Sequence, residues 1–152
     1  MGLDMYLYAK RYASSTPGFG DDVYHATIEA TKATEFAESD WGGLNIEICV
    51  GYWRKANQIH KWFVDTCQGG VDDCRLAYVS RDRLVELRDL CQSVLLAPAI
   101  AGETLPTESG FFFGSTEYDE WYMGDLEETV KIIDRVLSKV PQEWEFYYQS
   151  SW

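Results

Sequence analysis

The residues of this chain able to do chemistry gather between positions 52 and 74. His60 and Cys67 lie seven residues apart in YWRKANQIHKWFVDTC (52–67), and Asp72, Asp73 and Cys74 follow just after Gly69-Gly70. Histidine, cysteine and aspartate are the side chains that ligate zinc. The pattern His-x6-Cys-x6-Cys lacks the gaps of about two to four residues through which paired ligands chelate, so neither metal nor cofactor is assigned. Residues seven apart on a helix stand about 10 Å apart along its axis. That separation is too long for a Cys67–His60 nucleophile and base, and no third residue orients a Cys74–His60 pair. No catalytic residue is assigned, and the chain leans away from being an enzyme.

Binding is the chemistry left open. Gly69-Gly70-Val71-Asp72-Asp73 is glycine-rich, but its two aspartates oppose a phosphate cradle and suit a turn cap or a divalent cation. Arg54, Lys55 and Lys61 form the one positive cluster, fitted to a phosphate or carboxylate or to ion pairs with surplus acids. GFFFGSTEYDEWY (110–122) crowds aromatic rings and acids, including Tyr118 and Trp121. Exposed, such a run suits a protein interface or a stacked base; buried, it anchors a helix. Trp144, Phe146, Tyr147, Tyr148 and Trp152 pose the same question. The candidate binding residues are Trp53, Arg54, Lys55, Asn57, His60, Lys61, Asp72, Asp73, Tyr118 and Trp121.

These residues must be positioned by elements that the hydrophobic pattern reveals. Over 52–67, Trp53, Ala56, His60, Phe63 and Cys67 fall on one stripe at helical spacing, with Ile59 beside it. Arg54, Gln58, Lys61 and Asp65 fall opposite, so the stretch reads as an amphipathic helix ending at Gln68-Gly69-Gly70. Leu3–Lys10 alternates strictly, as an inner strand does. Asp21–Ser39 reads as a short or frayed helix with Asp22 as its cap. Trp41-Gly42-Gly43 breaks the chain before a strand over Asn45–Gly51, and 71–79 reads as a turn and a short apolar run. Ser80 caps a helix that Pro98 stops, and Ala99–Gly110 reads as a loop. Phe111–Phe113 is a short strand or buried turn. Thr116 opens a capping box before a helix striped by Tyr122, Leu126, Val130, Ile133, Leu137 and Val140, and Glu143–Gln149 is a last strand. The expectation is one globular α+β domain over 1–152: a small antiparallel or mixed sheet with about three main helices packed on it.

Composition narrows the partners. The chain has 152 residues, 46% hydrophobic and 15% aromatic, with a net charge of −12. That charge repels a nucleic acid backbone and favours a basic partner. It is uneven: 52–62 carries three bases and no acid, whereas 103–145 carries eleven acids against three bases. The start MGLDMYLY resembles neither a leader nor a membrane span, and Tyr6 stands where a myristoylation motif wants serine or threonine. With free thiols expected for Cys49, Cys67, Cys74 and Cys91, a reducing cytoplasm is the expected setting.

MGLDMYLY (1–8), GYWRKANQIHKWFV (51–64), GGVDDC (69–74), SGFFFGSTEYDEWY (109–122) and FYYQSSW (146–152) together resemble a family of short uncharacterised proteins encoded by bacteriophages and prophages. The resemblance spans nearly the whole chain and is weakest over 14–45. It implies a phage or prophage setting in the cytoplasm of a bacterial host, and transfers no catalytic residue. The expectation is an accessory protein that binds a host protein through an acidic, aromatic-rich surface, with inhibition of a host defence system as a candidate role. The alternative is a nucleotide-type small-molecule binder or enzyme with a pocket around Trp53, Arg54, His60 and Asp72. Oligomeric state is not read from the sequence.

Overall fold

The structure, a computed structural model, describes residues 2–37 and 42–152. Trp41 of the expected break and Ser39 lie outside those residues, but the helix expected over Asp21–Ser39 already ends at Thr31, with Lys32 in the cap position. The chain divides into two compact units, Met1–Ala9 with Cys49–Trp152 and Lys10–Ile48. The fold is α+β, with a four-stranded antiparallel sheet in the order β2-β1-β4-β3. Its strands are β1 (Asp4–Ser14), β2 (Gly43–Arg54), β3 (Ala77–Val79) and β4 (Glu145–Ser151). The described residues form five α-helices, not about three: α1 (Asp21–Thr31), α2 (Asn57–Cys67), α3 (Arg81–Leu96), α4 (Ala101–Thr104) and α5 (Glu120–Lys139).

In the larger unit the alternation of β1 sends Leu3, Met5, Leu7 and Ala9 into the core, all but inaccessible to solvent. As expected, β1 is an inner strand. Ile59 and Phe63 of α2, Leu84, Leu87 and Cys91 of α3, and Leu126, Ile133 and Val136 of α5 join the same core. Each large apolar side chain buried there contributes about 1.5–3 kcal/mol. On β2, Gly51 meets α5 so closely that an added Cβ would lie 2.8 Å from Ile132 Cγ2. β3 pairs antiparallel with β4, setting Tyr78 opposite Tyr147 and Ala77 opposite Tyr148.

Several boundaries differ from the expected ones for local reasons. The strand expected to stop at Gly51 runs on through Arg54, so Trp53 and Arg54 lie on β2 and not on the following helix. The backbone N–H of Lys55 still donates to Leu3 O at 2.8 Å, and Lys55 then turns the chain in the left-handed region, φ 60°. Helix α2 begins only at Asn57, with Ala56 in the cap position and no side-chain cap. Gly69 and Gly70 both have positive φ and close the helix as expected, Gly70 N–H donating to Val64 O at 3.0 Å. The stretch expected as a loop after Pro98 holds α4, because Pro98 opens a 3-10 turn that buried Ala101 and Leu105 fasten to the core. Phe111–Phe113 is a turn.

The smaller unit contains α1 with buried Tyr24, and Ala13 and Ser14 of β1. Asp22 is not the cap of α1. Gly20 occupies that position, and Asp21 and Asp22 lie in the first turn, where carboxylates favour the helix dipole. Lys10 and Glu47 form an ion pair within this unit.

Ser80 caps α3 as expected, its hydroxyl accepting from Arg83 N–H at 3.2 Å. The cap of α5 is Asp119, not Thr116: its carboxylate accepts from Trp121 N–H at 3.0 Å and Tyr122 N–H at 3.1 Å. The two candidates separate by mutation. Asp119→Ala should lower stability to urea by about 1 kcal/mol, whereas Thr116→Ala, on an exposed side chain, should change it by less than about 0.5 kcal/mol. The reverse order would return the cap to Thr116.

Candidate functional site

Helix α2 buries not only Ile59 and Phe63 but also Asn57, Gln58 and His60. Buried polar groups must find partners, since an unsatisfied one costs about 1–3 kcal/mol. His60, 1% exposed, has a partner on each ring nitrogen. Its Nδ1 lies 2.7 Å from the Tyr148 hydroxyl on β4, and its Nε2 lies 2.9 Å from Asp72 Oδ2. An ionised carboxylate only accepts, so Nε2 carries the hydrogen and Nδ1 accepts from Tyr148. The Tyr148 proton is firmly held: burial, with the nearby Asp72 charge, raises its pKa well above the ordinary tyrosine value. The other oxygen of Asp72 accepts from Trp152 Nε1 at 3.1 Å. One chain of hydrogen bonds thus joins β4, α2, the turn after α2 and Trp152.

Asn57 does the same for the aromatic run. Its Nδ2 donates to Phe113 O at 3.1 Å and Ser115 O at 2.8 Å, and its Oδ1 accepts from Glu108 N–H at 3.0 Å. The Phe112 carbonyl is tied separately, accepting from Leu3 N–H at 3.1 Å. Segment 108–115 is therefore held at the level of its backbone while its rings point in different directions. Phe113 is buried, whereas Phe111 is 96% exposed.

Between this segment and α2 lies a cleft of about 450 Å³. Phe111, Phe112, Phe113 and Trp152 provide its aromatic wall, His60 and Asp72 its floor, and Lys61, Asp65 and Glu108 its charged rim. Lys61 Nζ stands 3.1 Å from Asp65 Oδ2 and 3.2 Å from Glu108 Oε2, and these two hydrogen bonds raise its pKa. A second cleft, of about 270 Å³, lies between β2, α2 and the start of α5, with Arg54, Lys55, Trp121 and Asp125 in its lining. Gln58 points into the protein here, not to the outer face expected of it, and donates to Asp125 Oδ2 at 3.1 Å. Burial raises the Asp125 pKa, and the Gln58 hydrogen bond opposes that shift.

The ten candidate residues therefore separate. His60, Lys61 and Asp72 share the first cleft. Arg54, Lys55, Asn57 and Trp121 line the second, and Asn57 also fixes the wall of the first. Trp53 is buried, its Nε1 donating to Thr129 Oγ1 at 2.9 Å. Asp73 pairs with Arg75 outside both clefts. The Tyr118 hydroxyl accepts from Thr107 N–H at 3.3 Å, and its ring meets Tyr122 edge-on. The expected positive cluster is dispersed, because β2 carries Arg54 away from the helix that bears Lys61. Sequence reasoning did not select Asp65, Glu108, Phe111, Phe113 or Trp152. The aromatic runs themselves were visible, but which rings meet solvent was not.

In the first cleft both nitrogens of His60 are engaged, Nδ1 with the Tyr148 hydroxyl and Nε2 with Asp72. Burial raises the Cys67 thiol to about 11 and Cys91 to about 12. Among the described residues no three His, Cys, Asp or Glu side chains converge as metal ligands, and no helix is long and apolar enough to cross a membrane. Comparisons with family models, curated proteins and solved structures gave no match.

Two measurements follow. Asn57→Ala removes one acceptor and two donor contacts and should cost about 1–3 kcal/mol in urea denaturation, with faster proteolysis within 108–115; an unchanged midpoint and cleavage rate would refute the clamp. In native protein a maleimide should label exposed Cys49 first, with Cys67 slow and Cys91 protected until unfolding. Early loss of Cys91 by mass spectrometry would contradict its burial.

Proposed function

We propose that the chain is a phage- or prophage-type accessory protein that binds a protein of the bacterial host through the acidic, aromatic surface around the first cleft. In this reading it works in the host cytoplasm, and inhibition of a host defence system is the role that such binding serves. The observation that carries the reading is Phe111, a phenylalanine 96% exposed on a backbone held by Asn57, beside Trp152, Asp65, Asp72 and Glu108. A solvent-facing aromatic on a tethered backbone next to a pocket suits a binding hot spot. The resemblance of GFFFGSTEYDEWY and FYYQSSW to phage-encoded sequences supports the setting, and the net charge of −12 supports a basic partner.

A second reading, a nucleotide-type ligand, finds its support in the other cleft. There Trp121, 76% exposed, lies with Arg54 and Lys55, so a base could stack where two cations meet phosphate. Glu117, Asp119 and Asp125 in the same lining oppose an anion, which places this reading second. The pocket once expected around Trp53, Arg54, His60 and Asp72 is divided between the core and the two clefts.

Affinity recovery from bacterial lysate, run in parallel with wild type and Phe111→Ala, tests the first reading. Both proteins should melt at the same temperature, since the Phe111 ring buries almost nothing. A host protein retained by wild type and lost with the variant is the expected result; equal retention, or none, counts against it. For the second reading, nucleotides and cyclic dinucleotides should raise the melting temperature of wild type but not of Trp121→Ala.

A further inference from the structure

The chemistry of the first cleft specifies what group of a partner it would take. Its wall is four aromatic rings arranged edge to face: Phe111 on Phe112 with centroids 4.8 Å apart, and Phe113 on Trp152 at 6.0 Å. Hydrogen bonds accepted by Phe112 O and Phe113 O and donated by Trp152 Nε1 tether three of these residues. The backbone beneath the wall and the Trp152 indole are therefore in place before any ligand arrives, which lowers the entropic cost of binding.

The charges are unequal. Asp65, Asp72 and Glu108 face one cation, Lys61, whose ammonium already bridges Asp65 and Glu108. Three carboxylates in the lining stand against one ammonium. An anion is repelled, and a neutral apolar ligand displaces water from the outer oxygens of Asp65 and Glu108 without replacing it. A cation with flat apolar faces satisfies both halves of the site. Guanidinium is such a group: it stacks on aromatic rings and donates in pairs to carboxylates, whereas a lysine ammonium is a compact, strongly hydrated point charge. A cleft of about 450 Å³ lies within the roughly 300–1,000 Å³ of ordinary ligand sites, so it admits a long side chain together with part of its peptide.

We propose that this cleft is a receptor for an arginine side chain presented by a basic segment of the partner protein. The proposal rests on the protein-binding reading above and adds its chemistry. Arginine lies against the ring wall and donates to the outer oxygens of Glu108 and Asp65, in competition with Lys61. The surplus negative charge of the whole chain speeds the encounter.

The test uses the full chain, 15N-labelled, titrated with acetyl-Gly-Arg-Gly-amide and with the same peptide carrying citrulline, lysine or glutamate in place of arginine. The Trp152 indole N–H resonance is the reporter. The arginine peptide should move it saturably at millimolar concentration. Citrulline, which keeps the shape and loses the charge, should bind at least about tenfold more weakly, lysine several-fold more weakly, and glutamate not at all. Glu108→Gln should weaken the arginine peptide several-fold. Lys61→Met removes the competing cation and should tighten it. Equal shifts from arginine and citrulline, equal affinity for lysine, no saturable shift of Trp152, or weaker binding by Lys61→Met would each overturn the proposal. If the peptides fail while the lysate partner still depends on Phe111, the arginine receptor falls and the protein-binding function stands. If the arginine peptide binds as expected but no partner is recovered, the function falls and the arginine site stands.

Discussion

The site depends on burying an imidazole. His60 sits on the face of α2 that packs into the core, where water cannot serve either ring nitrogen. A polar group buried without a partner gives up most of the stabilisation of one large apolar side chain. Both partners come from outside α2: the Tyr148 hydroxyl from β4 and the Asp72 carboxylate from beyond the Gly69-Gly70 turn. Satisfying His60 therefore fixes where a strand and an irregular segment lie against the helix. Asp72 then has one oxygen left, and Trp152 takes it. The floor of the cleft and one of its walls follow from a single requirement.

The apolar core and these polar contacts do different work. Phe63 stacks on Tyr148 at 4.0 Å with the planes 8° apart, and such contacts, repeated across Leu3, Met5, Leu87, Leu126 and Ile133, supply the bulk of stability. They are tolerant of direction. A hydrogen bond adds only about 1 kcal/mol net, but it demands a particular atom at a particular distance. Segments 71–76 and 106–118 have little regular structure and few buried side chains, so apolar packing alone would leave them loosely placed. His60 and Asn57 hold them by their acceptors and donors, Asn57 through three backbone groups of one segment. Helix α2 thus holds irregular chain through His60 and Asn57, while Gln58 turns to Asp125 of α5 and the apolar residues pack into the core.

That division also sets what was legible in the sequence. Period-two alternation gave β1 and its inner position, Ser80 gave the start of α3, and the long stripe gave α5. Each is a local pattern with a local cause. The start of α2 was not legible because the turn before it places a lysine, Lys55, at φ 60°, where sequence offers no glycine to mark the change. Reading helix back to Tyr52 swept Trp53 and Arg54 onto the wrong element, although Gly51 and Trp53 buried against Tyr52 and Arg54 exposed is itself a strand alternation. The cleft was half legible. His60 and Asp72 were named, and the diglycine between them made their approach feasible. Glu108 enters the site through Lys61 and Asn57 and Trp152 through Asp72 and Phe113, long-range contacts that no local pattern encodes.

The electrostatic reading changes most once the elements are placed. Three cations close in sequence looked like one positive island in an acidic chain. Arg54, on β2 and 3.9 Å from Asp4, lines the second cleft with Lys55, and Lys61 alone reaches the first, between two carboxylates. A lysine in that position does not make its surroundings positive. It sits between Asp65 and Glu108 at the mouth of an aromatic slot, where it already fills the place of a cation. The lysine that suggested an anion site therefore marks a site for a cation, and is the group an incoming guanidinium must displace.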